Sequence, residues 1–184
     1  VLKEVETADL AIFVGGLDAT WEGEESNEMT SKNEVDGFFG GDRTKIELPE
    51  VQLNALKAMS KTGTPVVFVL LSGSAISFNG LEQNLDAILA AWYPGQRGGD
   101  AVADVLFGNY NPAGRLPVTF YSSTDELANF DDYNMRAGKG FTYRFYNGDV
   151  MYPFGHGLSY TKFEYSDLKT NKTIFKDSDQ VFVT

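Results

Sequence analysis

The stretch Pro65-Val66-Val67-Phe68-Val69-Leu70-Leu71 is apolar at every position. A strand with one solvated face alternates polar and apolar residues, whereas a strand of a parallel sheet is apolar on consecutive residues because both faces are covered. A helix is predicted before it, because Leu48-Pro49-Glu50 carries a proline and an acid typical of a first turn and Gly63 ends the pattern. The sequence therefore predicts a buried parallel strand that follows a surface helix.

Other apolar runs of strand length alternate with helical patterns, as expected for a mostly parallel sheet covered on both faces. Leu10 to Val14 and Ala87 to Ala91 are the two further predicted strands. The remaining predicted elements are a helix end at 3–9, a short helical segment at 81–84, a helix at 99–107, a shorter edge strand at 116–121 and an aromatic-rich loop region at 125–157. The predicted fold class is α/β, a mostly parallel sheet sandwiched by helices.

Composition narrows the functional classes. The 15 Lys and Arg residues against 26 Asp and Glu give a net charge of −11, which lacks the basic surface that nucleic acid and anionic membranes require. Zero cysteines exclude disulfides and thiolate chemistry, and the lone histidine, His156, excludes a multi-histidine zinc site. Between Gly155 and Gly157, this histidine is interpreted as a hydrogen-bonded loop residue. No metal and no cofactor are predicted, and a neutral ligand suits the negative charge.

The domain organisation is predicted from a change in composition near residue 165. Residues 1–165 carry the α/β pattern, whereas residues 166–184 contain a polar stretch followed by Val181-Phe-Val-Thr184, which is typical of a linker and a first strand. The chain starts at Val1, and residues 3–9 have the pattern of a helix end, so we expect a fragment or a processed product. No apolar run approaches the roughly 18 residues of a transmembrane helix.

Carboxylates cluster where the first predicted strand ends, in Gly15-Gly-Leu-Asp-Ala-Thr-Trp-Glu-Gly-Glu-Glu25. Open α/β sheets bind ligands beyond the carboxyl ends of their strands, and desolvation beside an indole raises the pKa of a carboxyl group toward that of a general acid. Glu22, next to Trp21, is therefore the candidate catalytic residue. Solvated surface charges and a calcium site are the alternatives, although the spacing of an EF-hand is absent. Such a calcium site would use Asp18, Glu22, Glu24, Glu25 and Glu28.

Several motifs follow one another between about residues 8 and 165. They are Gly15-Gly-Leu17, Trp21-Glu-Gly-Glu-Glu25, Gly40-Gly-Asp-Arg-Thr44, Thr62-Gly-Thr-Pro-Val-Val-Phe-Val69, Ala91-Trp-Tyr-Pro-Gly-Gln96, Asn111-Pro-Ala-Gly-Arg-Leu-Pro-Val-Thr-Phe120 and Tyr152-Pro-Phe-Gly-His-Gly-Leu-Ser-Tyr160. In this order they resemble the second domain of family 3 glycoside hydrolases. The acidic motif followed by Gly-Gly-Asp-Arg-Thr is most similar to the β-xylosidase branch, with β-glucosidase and α-arabinofuranosidase as neighbouring activities.

That resemblance implies a retaining, exo-acting glycosidase that hydrolyses terminal β-linked sugars of plant polysaccharide oligomers. In the family, an N-terminal (β/α)8 barrel supplies the aspartate nucleophile and the α/β sandwich domain supplies the acid/base carboxyl. Glu22 matches the acid/base position, with Glu24 as the alternate, and Trp21 either lines the leaving-group subsite or only packs the loop. Because retention needs two carboxyl groups about 5–5.5 Å apart, the isolated chain is predicted to be inactive. The implied partners are an oligosaccharide substrate and the barrel, and the family favours a periplasmic or secreted location.

Further residues gain expected roles from the same resemblance. Asp42 and Arg43 are expected to form an ion pair that fixes the long loop, and Asn111 to Arg115 is expected to be a structural turn. After the third predicted strand, contact with either the barrel or the core is expected of Trp92, Tyr93 and Gln96.

The chain also departs from the family pattern. Asn79-Gly80 stands where relatives commonly have Asn-Trp, and Phe141 replaces a common arginine before Thr142. The stretch after Tyr165 resembles the lead into a fibronectin type III-like domain. A different class of function, a non-catalytic carbohydrate-binding or scaffold module, stays open for the isolated chain.

Overall fold

The computed structural model describes residues 2–21, 36–39 and 42–184. In chain order its helices and strands are α1 (Leu2–Glu6), β1 (Ala11–Gly16), β2 (Phe38–Phe39), β3 (Asp42–Arg43), α2 (Glu50–Met59), β4 (Val66–Leu71), β5 (Ala87–Ala90), α3 (Gly98–Leu106), β6 (Phe120–Tyr121), α4 (Thr142–Phe145) and β7 (Val150–Tyr152). Short 3-10 turns lie at Leu81–Asn84 and Thr124–Glu126.

The main sheet contains three parallel strands in the order β1-β4-β5. The register of β1 on β4 runs from Ala11 opposite Val66 to Gly16 opposite Leu71, and β5 pairs with the other side of β4. The carboxyl ends of all three strands therefore lie at one edge of the sheet. This arrangement confirms the predicted α/β class, with the continuous apolar run as the central strand.

One face of the sheet carries the hydrophobic core. Helix α2 begins directly after Pro49, and it buries Leu56 and Met59. The ring of Phe68 on β4 lies 5.7 Å from that of Phe13 on β1 and 5.5 Å from that of Phe78. Helix α1 packs on α2, which in turn contacts β1 and the 3-10 turn at Leu81–Asn84. The helix predicted before β4 in the chain and the short helical segment predicted after it are both present.

The other face of the sheet is covered less evenly than the sequence predicts. On the central strand, Val69 is only 1% exposed. On the edge strand β1, however, Ile12 is 43% and Val14 is 58% exposed, whereas Phe13 between them packs against the core. An edge strand has a neighbouring strand on one side only, so fewer elements reach its outer face. Beyond the sheet, α3 fully buries only Gly98.

A second, two-stranded antiparallel sheet differs from the prediction. The strand expected at 116–121 is restricted to β6, and it pairs with β7, which lies inside the region predicted as loop. The short helix α4 lies in the same region. Both elements are too short to leave a periodic pattern, and β7 is defined by a partner distant along the chain.

Residues 166–184 contain an isolated antiparallel bridge between Thr170 and Val183. Lys169 N–H donates to the Thr184 carbonyl at 2.9 Å, and Thr184 N–H donates back to the Lys169 carbonyl at 3.0 Å. The boundary near residue 165 stays a prediction. Among the helices of the described residues, none combines the length and apolarity needed to traverse a bilayer.

Candidate functional site

The carboxyl edge of the main sheet collects the loops that follow β1, β4 and β5. These loops begin at Leu17, Ser72 and Ala91, one after each strand. Ligands of open α/β sheets bind at this edge because loops from neighbouring strands meet there. The candidate site is therefore built from the residues that fix these loops.

The predicted acid/base residue Glu22 and its alternate Glu24 lie outside the described residues, as do Glu25 and Glu28. The structure describes the chain up to Trp21 and again from Asp36. The assignment of Glu22 therefore stays a prediction. The calcium hypothesis is also untested, because all of its expected ligands except Asp18 lie outside the described residues. Within the described parts of the chain, no group of three acidic, histidine or cysteine side chains lies close enough to hold a metal ion.

Asp18 fixes the turn that leads out of β1. Its Oδ1 accepts hydrogen bonds from the Thr20 hydroxyl, from Thr20 N–H at 2.7 Å and from Trp21 N–H at 3.3 Å. These bonds, that of the Thr20 hydroxyl first, hold the pKa of Asp18 below its usual value despite slight desolvation. Asp18 is thus engaged as an acceptor within its own turn, and the position of the Trp21 backbone follows from it.

Trp21 is half-buried and packs on Phe38, which belongs to β2 of the β2-β3 hairpin. Its ring meets that of Phe38 edge-on, with 6.2 Å between centroids and an interplanar angle of 61°. This contact joins the two ends between which residues 22–35 run. The packing role of Trp21 is therefore present, and its contact with a sugar stays a prediction.

Arg43 connects this hairpin to the loop after β4. Its Nη1 donates to Ser74 Oγ at 2.8 Å and to the Ala75 carbonyl at 3.0 Å, and its Nε donates to the Lys45 carbonyl at 3.1 Å. The guanidinium also lies 5.7 Å from the centroid of the Phe38 ring. The expected ion pair with Asp42 involves a side chain outside the described part of the structure, so that expectation is untested.

The end of β1 is held by an amide that the sequence analysis missed. Gln52 on α2 accepts from Gly16 N–H at 2.8 Å and donates to the Gly16 carbonyl at 2.7 Å. Gly16 has φ +128°, and a Cβ there would lie 1.9 Å from the Leu71 carbonyl oxygen. Only glycine fits this approach. The available signal in the sequence was a glutamine in the predicted helix, together with two glycines directly after the first predicted strand.

A second residue that sequence reasoning missed is Glu47. Its Oε1 accepts from Thr124 N–H at 2.9 Å and its Oε2 from the Thr124 hydroxyl at 2.8 Å, while that hydroxyl oxygen accepts from Ile46 N–H at 3.0 Å. Burial raises the pKa of Glu47, but the Thr124 hydrogen bonds and the Arg43 charge outweigh it and leave the pKa below its usual value. Glu47 thereby ties the segment before α2 to the segment after β6.

The residues after β5 divide between the core and the surface. Trp92 meets Phe120 edge-on at 6.3 Å between ring centroids and packs against the core, whereas Tyr93 and Gln96 are exposed. Contact of Tyr93 and Gln96 with a barrel stays a prediction. Packing is the role that the structure gives Trp92.

The histidine and the Asn111 turn have structural contacts. The ring of His156 stacks on Tyr152 with 4.7 Å between centroids, and its carbonyl accepts from Leu116 N–H at 2.8 Å. Asn111 Oδ1 accepts from Tyr160 N–H at 2.8 Å and from the Ser159 hydroxyl at 3.0 Å. Both agree with the loop and turn roles expected from the sequence.

Comparison with known proteins gives the family. The model of the glycosyl hydrolase family 3 C-terminal domain matches residues 1–160. A xylan 1,4-beta-xylosidase of Xylanibacter ruminicola is 48% identical over 168 residues, which make up 91% of this chain and 18% of that protein. A periplasmic beta-glucosidase of Salmonella typhimurium is 40% identical over 135 residues, 68% of this chain and 18% of that protein.

A solved structure supports the same family assignment. A family 3 exo-beta-xylosidase in complex with a xylobiose aziridine probe superposes with a TM-score of 0.72 at 34% identity, and the match covers 88% of this chain and 20% of that chain. The chain thus spans about a fifth of the length of the relatives it matches. It belongs to glycosyl hydrolase family 3 and corresponds to the C-terminal domain of that family.

Proposed function

We propose that this chain is the domain of a retaining, exo-acting β-glycosidase that supplies the acid/base carboxyl, with Glu22 in that role. The observation that carries the proposal is the position of Trp21. Its backbone is held by Asp18 and its ring by Phe38, at the carboxyl edge of the sheet. Glu22 is the next residue in the chain after Trp21, and ligands of open α/β sheets bind at this edge, which supports the proposal.

The proposed chemistry divides one reaction between two domains. The acid/base carboxyl protonates the leaving glycosidic oxygen and later deprotonates the attacking water, while a second carboxylate forms the glycosyl-enzyme. In our proposal the second carboxylate comes from a barrel domain of the same protein. The partner-free chain then has half of the required pair, which agrees with the expectation that it is inactive alone.

The proposed substrate is an oligosaccharide with a terminal β-linked xylose. The 48% identity to a xylan 1,4-beta-xylosidase supports this choice. A β-glucosidase is the second candidate, favoured by the 40% identity to a periplasmic beta-glucosidase. The ratio of kcat/KM on aryl β-xylosides to that on aryl β-glucosides, measured on the full-length protein, decides between them. A non-catalytic module would hydrolyse neither.

The acid/base assignment is tested by replacing Glu22 with alanine in the full-length enzyme. Loss of the proton donor is expected to lower kcat/KM by about 10²- to 10⁴-fold on xylosides with poor leaving groups, which cannot depart without protonation. Activated aryl xylosides are expected to lose far less in the first step. Added azide attacks the glycosyl-enzyme without base assistance, so it is expected to restore turnover and yield a β-glycosyl azide.

Glu24→Ala and Glu25→Ala are the matched controls, since both remove a carboxylate from the same loop. We expect modest losses from them, shared evenly among substrates and without azide rescue. Azide rescue at Glu24→Ala, together with near-normal activity of Glu22→Ala on poor leaving groups, would move the acid/base role to Glu24.

A further inference from the structure

The rings of Trp21 and Phe38, which lie on either side of Glu22 in the chain, contact each other edge-on. Phe38 belongs to β2, where it pairs with Arg43 of β3, and Gly37 on the same side accepts from Thr44 N–H at 2.8 Å. The orientation of Trp21 therefore depends on the position of the β2-β3 hairpin.

Arg43 connects that hairpin to the sheet. Its guanidinium contacts the Phe38 ring and also donates two hydrogen bonds from Nη1 to Ser74 and Ala75. A planar guanidinium presents several donors at fixed angles together with a face that stacks on a ring. The ammonium of a lysine has the same charge but reproduces neither this fork nor the stacking.

The loop that receives these bonds is itself well fixed. The Ser72 hydroxyl donates to the Ser74 carbonyl at 2.8 Å. Three residues after Ser74, Ser77 is fully buried, its N–H donates to the Ile46 carbonyl at 2.8 Å, and its carbonyl accepts from Leu48 N–H at 2.8 Å. Arg43 therefore anchors the hairpin to a rigid part of the molecule, directly beyond the end of the central strand.

We propose that Arg43 is a positioning residue for the acid step, because through Phe38 it fixes Trp21, the residue that precedes the proposed acid/base Glu22 in the chain. The inference rests on the proposed function of Glu22 and adds a residue that touches neither the substrate nor the reacting atoms. A displacement of Trp21 displaces the peptide bond that joins it to Glu22, and proton transfer is sensitive to shifts well below the length of a hydrogen bond. The loss should therefore fall on the step that needs a proton.

The test uses Arg43→Lys in the full-length enzyme, with kcat/KM measured on a series of aryl and alkyl xylosides. We expect a loss of at least about 10-fold on poor leaving groups and less than about 3-fold on activated ones. Phe38→Leu removes the ring that relays the contact and is expected to give the same division. Arg97→Lys is the matched control: Arg97 is 85% exposed and pairs with Asp100 at 2.9 Å, so equal activity on all substrates is expected.

A merely structural role of Arg43 predicts something else, namely equal losses on all leaving groups, in proportion to the folded fraction. That result, or no loss in either variant, overturns the proposal. Glu22→Ala in the same assay separates the acid/base role of Glu22 from the positioning role of Arg43. If it shows the leaving-group division and Arg43→Lys and Phe38→Leu do not, only the positioning role fails. If Glu22→Ala shows no division, the acid/base assignment itself fails.

Discussion

Side chains that bond backbone groups hold this domain together at its candidate site, and the contribution of Glu47 depends on pH. Hydrogen bonds from Thr124 and the charge of Arg43 outweigh burial and set its pKa below the ordinary value of 4.5. A carboxyl group whose pKa is lower in the folded than in the unfolded state stabilises the fold above the unfolded pKa. That stabilisation is lost as the pH falls through the folded value.

Glu47→Gln is therefore expected to lower the free energy of unfolding by about 1–2 kcal/mol at pH 7, since a charged hydrogen-bond acceptor is replaced by a neutral one. The difference from the wild type is expected to shrink as the pH falls below about 4.5, where the unfolded carboxyl protonates. Urea unfolding at several pH values measures it. The exposed Glu164 provides a control, Glu164→Gln, with little change expected. A difference that stays constant with pH would contradict the interpretation.

At the scale of elements, the joint between α2 and β1 determines where the first loop of the candidate site starts. Gln52 satisfies both the N–H and the carbonyl of Gly16, at the last position of the strand. Gln52→Glu keeps the shape and the acceptor for Gly16 N–H but sets a carboxylate oxygen against the Gly16 carbonyl. Two acceptors at 2.7 Å have no proton to share.

We expect Gln52→Glu to cost about 1–3 kcal/mol of unfolding free energy at pH 7, the usual result of leaving a partly buried acceptor without its donor. The introduced carboxyl has a raised folded pKa, because only its protonated form can donate. The penalty is thus complete above the folded pKa and disappears below the unfolded one, near pH 4. Gln52→Ala, which loses both bonds at any pH, is the control. Equal pH dependence of the two variants would argue against the assigned hydrogen bonds.

Elements were predictable from the sequence to the extent that they are long and locally patterned. The central strand β4 has a continuous apolar run, and α2 has a proline at its start, so both were predicted with bounds close to those observed. Strand β7 has three residues and owes its conformation to β6, a partner about 30 positions earlier in the chain. Local periodicity contains no information about such a pairing.

The same distinction, between a local sequence pattern and a contact with a distant partner, applies to the residues of the candidate site. Trp21 was selected from the sequence because it follows a strand end, and Arg43 because it belongs to the motif Gly40-Gly-Asp-Arg-Thr44 of the family resemblance. Gln52, Glu47 and Phe38 were missed because each acts through a partner distant along the chain, which one sequence does not reveal. The acid/base assignment of Glu22 was made from motif position alone, and it remains a prediction.

For the molecule as a whole, an exposed apolar surface lies along β1, where Leu10, Ile12 and Val14 are each more than 40% exposed. This strand pairs with β4 on one side, and in the described residues its other edge has no strand partner. An open groove of about 550 Å³ runs beside it, and its lining consists of Leu2, Glu4, Val5, Ala8, Leu10, Ala11, Ile12, Phe13, Ala55, Ala58 and Met59. Unpaired edges with apolar flanks are templates for association. The net charge of −11 opposes association through repulsion between copies.

The isolated 184-residue chain is therefore expected to self-associate, and more strongly at about 150 mM salt than at about 10 mM, because salt screens the repulsion but leaves the apolar contact unchanged. Val14→Lys adds a charge to the exposed side of β1 and should shift the chain toward monomer, as edge lysines do in natural sheets. Val51→Lys is the matched control, since Val51 is 76% exposed but lies on α2 and not on the edge strand β1. Light scattering across a concentration series measures both. A wild-type chain that stays monomeric at high concentration and salt would show that the edge of β1 is protected, and equal effects of the two lysines would assign the association to net charge instead of this edge.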